Sequence, residues 1–130
     1  MINDVHLNTT GSDGGLYGED AKLSLFKTMV DDLAAAQQPL DALMILGDFV
    51  IHGLSSREEN VSNWDQMQPS ISQQMLYIKE KLPNVVVLPT FGNNDMVQYY
   101  QVPRDEATKQ AFYGDLYDMW FGGANAQEKN

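Results

Sequence analysis

Three short stretches of this chain carry side chains able to hold a cation. They are Asp4-Val5-His6, Gly47-Asp48 with His52 four residues on, and Gly92-Asn93-Asn94-Asp95. Carboxylate, imidazole and amide oxygen make a donor set suited to a divalent metal ion. Such an ion polarises a phosphoryl oxygen and lowers the pKa of a bound water, and a pair bridged by one carboxylate clamps both the attacking and the leaving oxygen. Asp48 is the natural bridge. Asp4 and His6, two apart on an extended segment, point the same way and grip one ion together, while Asn93 offers a carbonyl oxygen to the second.

Each stretch alone has a plainer explanation. An isolated Asp-x-His is more often a hydrogen-bonded surface pair, Asp48 reads equally as a cap or turn residue, residues 93–95 as a simple turn, and His52 as a solvated loop residue. What favours chemistry is that each stretch ends an apolar run. Asp41-Ala42 leads into Leu43-Met44-Ile45-Leu46 before Gly47, and Val85-Val86-Val87-Leu88 runs through to Phe91 before Gly92. Met1 to Asn3 is short for a strand but ends in the same way. Open parallel sheets place their sites at successive strand ends.

Helices fill the intervals. Leu25, Phe26, Met29, Val30, Leu33 and Ala34 recur at helical spacing within 21–37, and Ile71, Met75, Ile78 and Leu82 do so within 69–82, with Pro69 in the first turn. A third helix at 105–121 carries Ala111, Phe112, Leu116 and Met119, and its Tyr113, Tyr117 and Trp120 are read as packing residues rather than a ligand stripe. The polar segments at 7–20 and 53–60 read as loops, the second of them mobile. The predicted fold class is α/β, with parallel strands near 1–4, 41–47 and 85–91 alternating with those helices.

Composition removes several function classes. Eighteen acidic residues against eight basic ones give a net charge of −10 across 130 residues, with no basic cluster, which argues against a nucleic-acid or anionic-membrane surface. There is no cysteine, so no disulfide framework or thiolate metal site. No segment has the length and apolarity of an integral membrane helix. The glycines at 11, 14, 15 and 18 do not fit a nucleotide-binding spacing, and a receiver-like or dehalogenase-like domain wants paired aspartates on its first strand, where this chain has Asp4 and His6.

The three blocks, in this order and each at a strand end, resemble the first three signature blocks of the calcineurin-like metallophosphoesterases. His52 after Asp48, and the Tyr/Trp-bearing helix after the third block, resemble the acid-sphingomyelinase-like phosphodiesterases within that superfamily. The resemblance implies the amino-terminal half of an αββα sandwich spanning 1–130, with its first strand shortened and its carboxyl-terminal half absent. It implies two divalent ions (Zn, Mn or Fe) at Asp4, His6, Asp48 and Asn93, with His52 and Asn94 in catalytic positions. A water activated by the metals attacks phosphorus in a phosphoester small molecule or lipid head group. Secreted, periplasmic and lysosome-like compartments all agree with the resemblance, and the sequence does not choose among them.

Two departures stand out. The family's third block carries a histidine that protonates the leaving group where this chain has Asn94, and an amide is no general acid near neutral pH. The family also draws further histidine ligands from a carboxyl-terminal half, whereas this chain has only His6 and His52. The alternative expectation is therefore a non-catalytic fragment or subunit that needs a complementing chain, self-associating through an exposed sheet face that includes alternate residues of 85–88.

Overall fold

The computed structural model describes residues 1–9, 20–36, 38–55 and 62–125. Most of the segments read as loops at 7–20 and 53–60, and the polar tail beyond 125, lie outside the described residues. The elements run α1 (Leu23–Ala35), β1 (Ala42–Ile45), α2 (Trp64–Lys81), β2 (Val86–Pro89) and α3 (Glu106–Asn125). The two strands pair in parallel, Ala42 opposite Val86 and Met44 opposite Leu88. This is the mixed α/β arrangement expected of the amino-terminal half of a metallophosphoesterase sandwich.

The first expected strand differs. Residues 1–8 do lie parallel to the chain around β1, with bridges of Ile2 to Ile45 and Leu7 to Val50, but they form no continuous ladder. The reason is local. Asp4 and His6 take left-handed backbone, with φ of 50° and 44°, so the segment turns at each of them instead of staying extended. Backbone bonds still fix its place: Ile2 N–H to the Met44 carbonyl, Leu46 N–H to that of Ile2, His6 N–H to Asp48 and Leu7 N–H to Phe49.

Helix α2 starts five residues before the expected position 69. Its buried stripe begins at Trp64 and Met67 and continues through Ile71, Met75 and Ile78, so burial carries the helix ahead of the first turn that Pro69 was expected to mark. Pro69 itself is exposed. Helix α3 is capped by Asp105, whose carboxylate accepts the Thr108 N–H at 2.8 Å. Among its described side chains Phe112 and Leu116 are buried and Trp120 is half-buried against the core as expected, while Tyr113 and Tyr117 are exposed, which corrects their assignment to it. One position further along a helix turns a side chain by about 100°, enough to leave the buried stripe.

Phe26 and Val30 of α1, the α2 stripe and the α3 pair meet Leu43 and Ile45 of β1 in one core. Trp64 joins α2 to α3, packing its ring 4.9 Å from Phe112 and donating its indole N–H to Asp115 at 2.7 Å. The opposite face of the sheet is open. Val86, Leu88 and Met44 are 58%, 51% and 48% exposed, an apolar surface created by strict strand alternation.

Candidate metal centre

The sheet delivers its chemistry just beyond the ends of β1 and β2. Gly47 takes φ +89°, and a Cβ there would overlap the backbone of Phe91 and Gly92, while a Cβ on Gly92 would overlap the Asp48 carboxylate. Two glycines thus let the loops touch backbone to backbone. Asp48, the residue between them, is also left-handed, with φ 55°.

Asp48 is buried and divided in its duties. Its Oδ1 accepts the backbone N–H of Asn94 at 2.9 Å and the Asn94 side-chain amide at 3.3 Å. Its Oδ2 lies 3.8 Å from His6 Nε2, which is also 3.9 Å from Asp4 Oδ1. His6 is anchored from behind, with Nδ1 3.0 Å from the Val50 carbonyl oxygen. A carbonyl only accepts, so Nδ1 carries the proton and Nε2 presents a lone pair toward the two carboxylates. That is the usual outer-shell device for orienting a histidine ligand.

Donor atoms of Asp4, His6 and Asp48 lie within 4.8 Å of one another. Ligands sharing one ion at about 2.1 Å stand roughly 3 to 4.2 Å apart, and the observed separations from His6 already lie within that range. The residues fit a divalent cation. Asn93 sits half-buried on the same turn as Asn94. Asn94 itself is buried with its amide against Asp48, which gives it a bracing position rather than an open one.

Two contributors, Gln74 and Asp20, were not singled out from sequence, and a third takes a different role from the one read there. Asp95, grouped there with the oxygen donors, is fully buried, and accepts N–H bonds from Phe49 at 2.8 Å and Val50 at 3.2 Å on one oxygen and from Gly92 at 2.8 Å on the other. It is the tie between the two loops. Burial pushes its carboxyl above the usual range and Asp48 adds to this, while the three N–H bonds pull the other way. Gln74, buried on α2, donates to the Phe49 carbonyl at 2.8 Å and so braces the Asp48 loop from below. Asp20 meets His52, whose ring stacks on that of His6 with centroids 3.6 Å apart. Thirty-two positions separate Asp20 from His52, and no spacing rule connects them.

No curated protein matches this chain. A family model does: that of the calcineurin-like phosphoesterases, over residues 1–128, a span that contains all three strand-end blocks and both histidines. The chain belongs to the calcineurin-like phosphoesterase family.

Proposed function

We propose that this chain provides the first half of the active centre of a metal-dependent phosphodiesterase similar to the acid-sphingomyelinase-like enzymes. The observation that carries the reading is the Asp4, His6 and Asp48 cluster, with His6 Nε2 directed between two carboxylates by the Val50 carbonyl. Asp4, His6 and Asp48 would hold one divalent ion, and Asp48 and Asn93 would be available to a second. Zinc, manganese and iron all suit this donor mixture. Bound there, the ions supply Lewis acidity toward a phosphoryl oxygen and toward water.

The chain's own residues divide the remaining work. Asn94 holds Asp48 in place through its amide. His52, exposed at the edge of the cluster, holds the phosphate of a small phosphodiester or lipid head group, or gives a proton to the leaving oxygen. The test is hydrolysis of bis(p-nitrophenyl) phosphate by the chain with Mn²⁺ or Zn²⁺, in wild type and Asp48→Asn. Turnover that survives Asp48→Asn sinks the mechanism.

The open sheet face favours a second reading, in which the centre is completed by a further sheet on another polypeptide. Val86, Leu88 and Met44 form the apolar surface such a sheet would cover. Weak metal binding together with self-association of the isolated chain supports this reading. Tight, stoichiometric binding of two ions with turnover supports an independent enzyme.

A further inference from the structure

His52 is gripped by a residue outside the metal cluster. Asp20 Oδ2 accepts the His52 backbone N–H at 2.9 Å, and Asp20 Oδ1 lies 2.5 Å from His52 Nδ1. The Asp20 side chain is 18% exposed and that of His52 is 63% exposed, so a largely covered carboxylate holds one edge of an open imidazole. Asp20 reaches this place because Asn8 donates its N–H to the carbonyl of Ala21, the next residue, at 2.8 Å. The amino-terminal segment that carries His6 therefore also seats Asp20.

Donor atoms of His6, Asp20 and His52 lie within 4.8 Å of one another, a spacing that alone would suit a second cation. The ring geometry argues otherwise. The two imidazoles are stacked at 3.6 Å with only 25° between their planes. Ring-nitrogen lone pairs lie in the ring plane, so two nearly parallel rings aim them side by side and not at one ion. The arrangement fits an oriented imidazole.

We propose that Asp20 is the positioning residue of His52: by clamping its backbone N–H and its Nδ1–H together, it fixes both rotamer and tautomer so that Nε2 is the nitrogen presented outward. A neutral histidine in water prefers the opposite tautomer, with the proton on Nε2, and a carboxylate at Nδ1 reverses that preference. In the neutral ring this leaves Nε2 without a proton; donating to a phosphate or to the leaving oxygen takes the doubly protonated ring, and that part rests on the phosphodiesterase reading above. That Asp20 sets the ring does not.

The test separates the two. The chain has only two histidines, so long-range proton–nitrogen correlations of the histidine-labelled protein, followed across a pH series, resolve each tautomer directly. Both rings are expected as the Nδ1–H form, His6 through Val50 and His52 through Asp20. Asp20→Ala should shift the His52 tautomer ratio toward Nε2–H by roughly tenfold or more, the scale of one charge-assisted hydrogen bond. His6 should keep its pattern, which also certifies the fold. Asp20→Asn, whose carbonyl still accepts from Nδ1, should restore much of the wild-type signature. A His52 pattern that is the same in wild type and Asp20→Ala overturns the proposal, as does Nε2–H in the wild type.

With bis(p-nitrophenyl) phosphate and Mn²⁺, Asp20→Ala should lower kcat with little change in KM, and the Asp20→Ala/His52→Ala double variant should be no slower than His52→Ala. Additive losses overturn the proposal. A wild type that hydrolyses no diester counts against the phosphodiesterase reading, and the tautomer pattern still decides the role of Asp20.

Discussion

Removing the Asp95 carboxylate should loosen the centre from beneath. It accepts three backbone N–H groups, two from the Asp48 loop and one from Gly92, and it is fully buried. Asp95→Ala leaves those donors without an acceptor, at about 1–3 kcal/mol each where water does not reach. Relief from burying a carboxylate returns part of this, and we expect a net loss of about 3 kcal/mol, a large share of a domain stability of about 5–15 kcal/mol. Asp95→Asn keeps an acceptor for Phe49 and Val50 but turns an amide N–H₂ toward the Gly92 N–H, so about 1–3 kcal/mol should be lost. The assay is urea unfolding in the presence of a chelator. If both variants stay within about 0.5 kcal/mol of wild type, the tie is not structural.

The pH dependence carries a sign of its own. Asp95 has its folded pKa raised by burial, so between the unfolded and folded values the folded state binds the extra proton. Its contribution to stability is therefore full below the ordinary carboxylate pKa and is lost as pH rises through the raised value. Relative to the non-titrating Asp95→Asn, wild type should lose ground with rising pH across that window. A gap that widens in favour of wild type would show that the three N–H bonds outweigh burial.

Three further outcomes follow from the geometry. Asn94→Ala removes the amide that braces Asp48 Oδ1 and should weaken Mn²⁺ binding by roughly tenfold, read by calorimetric titration; unchanged affinity denies Asn94 that role. Gly92→Ala drives a methyl into the Asp48 carboxylate and should cost about 1–3 kcal/mol in thermal or urea melts, which a wild-type-like melt contradicts. Leu88→Lys lies on the open sheet face and should change stability by no more than about 0.5 kcal/mol while reducing self-association in sedimentation, whereas a large destabilisation would mean that the face is packed.

What the sequence revealed about the site is its locally encoded part. An apolar run, a glycine and then an acid mark Asp48 and the 92–95 turn without tertiary information, and the Leu25 to Ala34 and Ile71 to Leu82 patterns place two helices. The left-handed backbone at Asp4, His6 and Asp48 was not legible, because the usual marker of that conformation is glycine and none of the three is one. Alternation on an extended strand brought Asp4 and His6 to one side by a different route from the one the chain takes. Pro69 hid the first turn of α2, since proline's local preference was weighed without the burial of Trp64 and Met67. The roles of Asp20 and Asp95 depend on contacts made only when distant segments meet, 32 positions apart for Asp20 and His52 and 46 for Asp95 and Phe49.

The amino-terminal segment is held by backbone hydrogen bonds and by Ile2, Val5 and Leu7 in the core, and it carries Asp4 and His6, while Asp48 rides on the body of the sheet. A cation gripped from both sides is then a clasp. Local opening of residues 1–8 would dismantle the donor set, so ion release and fraying of the segment become one equilibrium. An ion at a hundred times its dissociation constant holds the closed form by about 2.7 kcal/mol. The exchange rates of the Ile2, His6 and Leu7 amides would thereby gauge how full the site is, independently of any turnover.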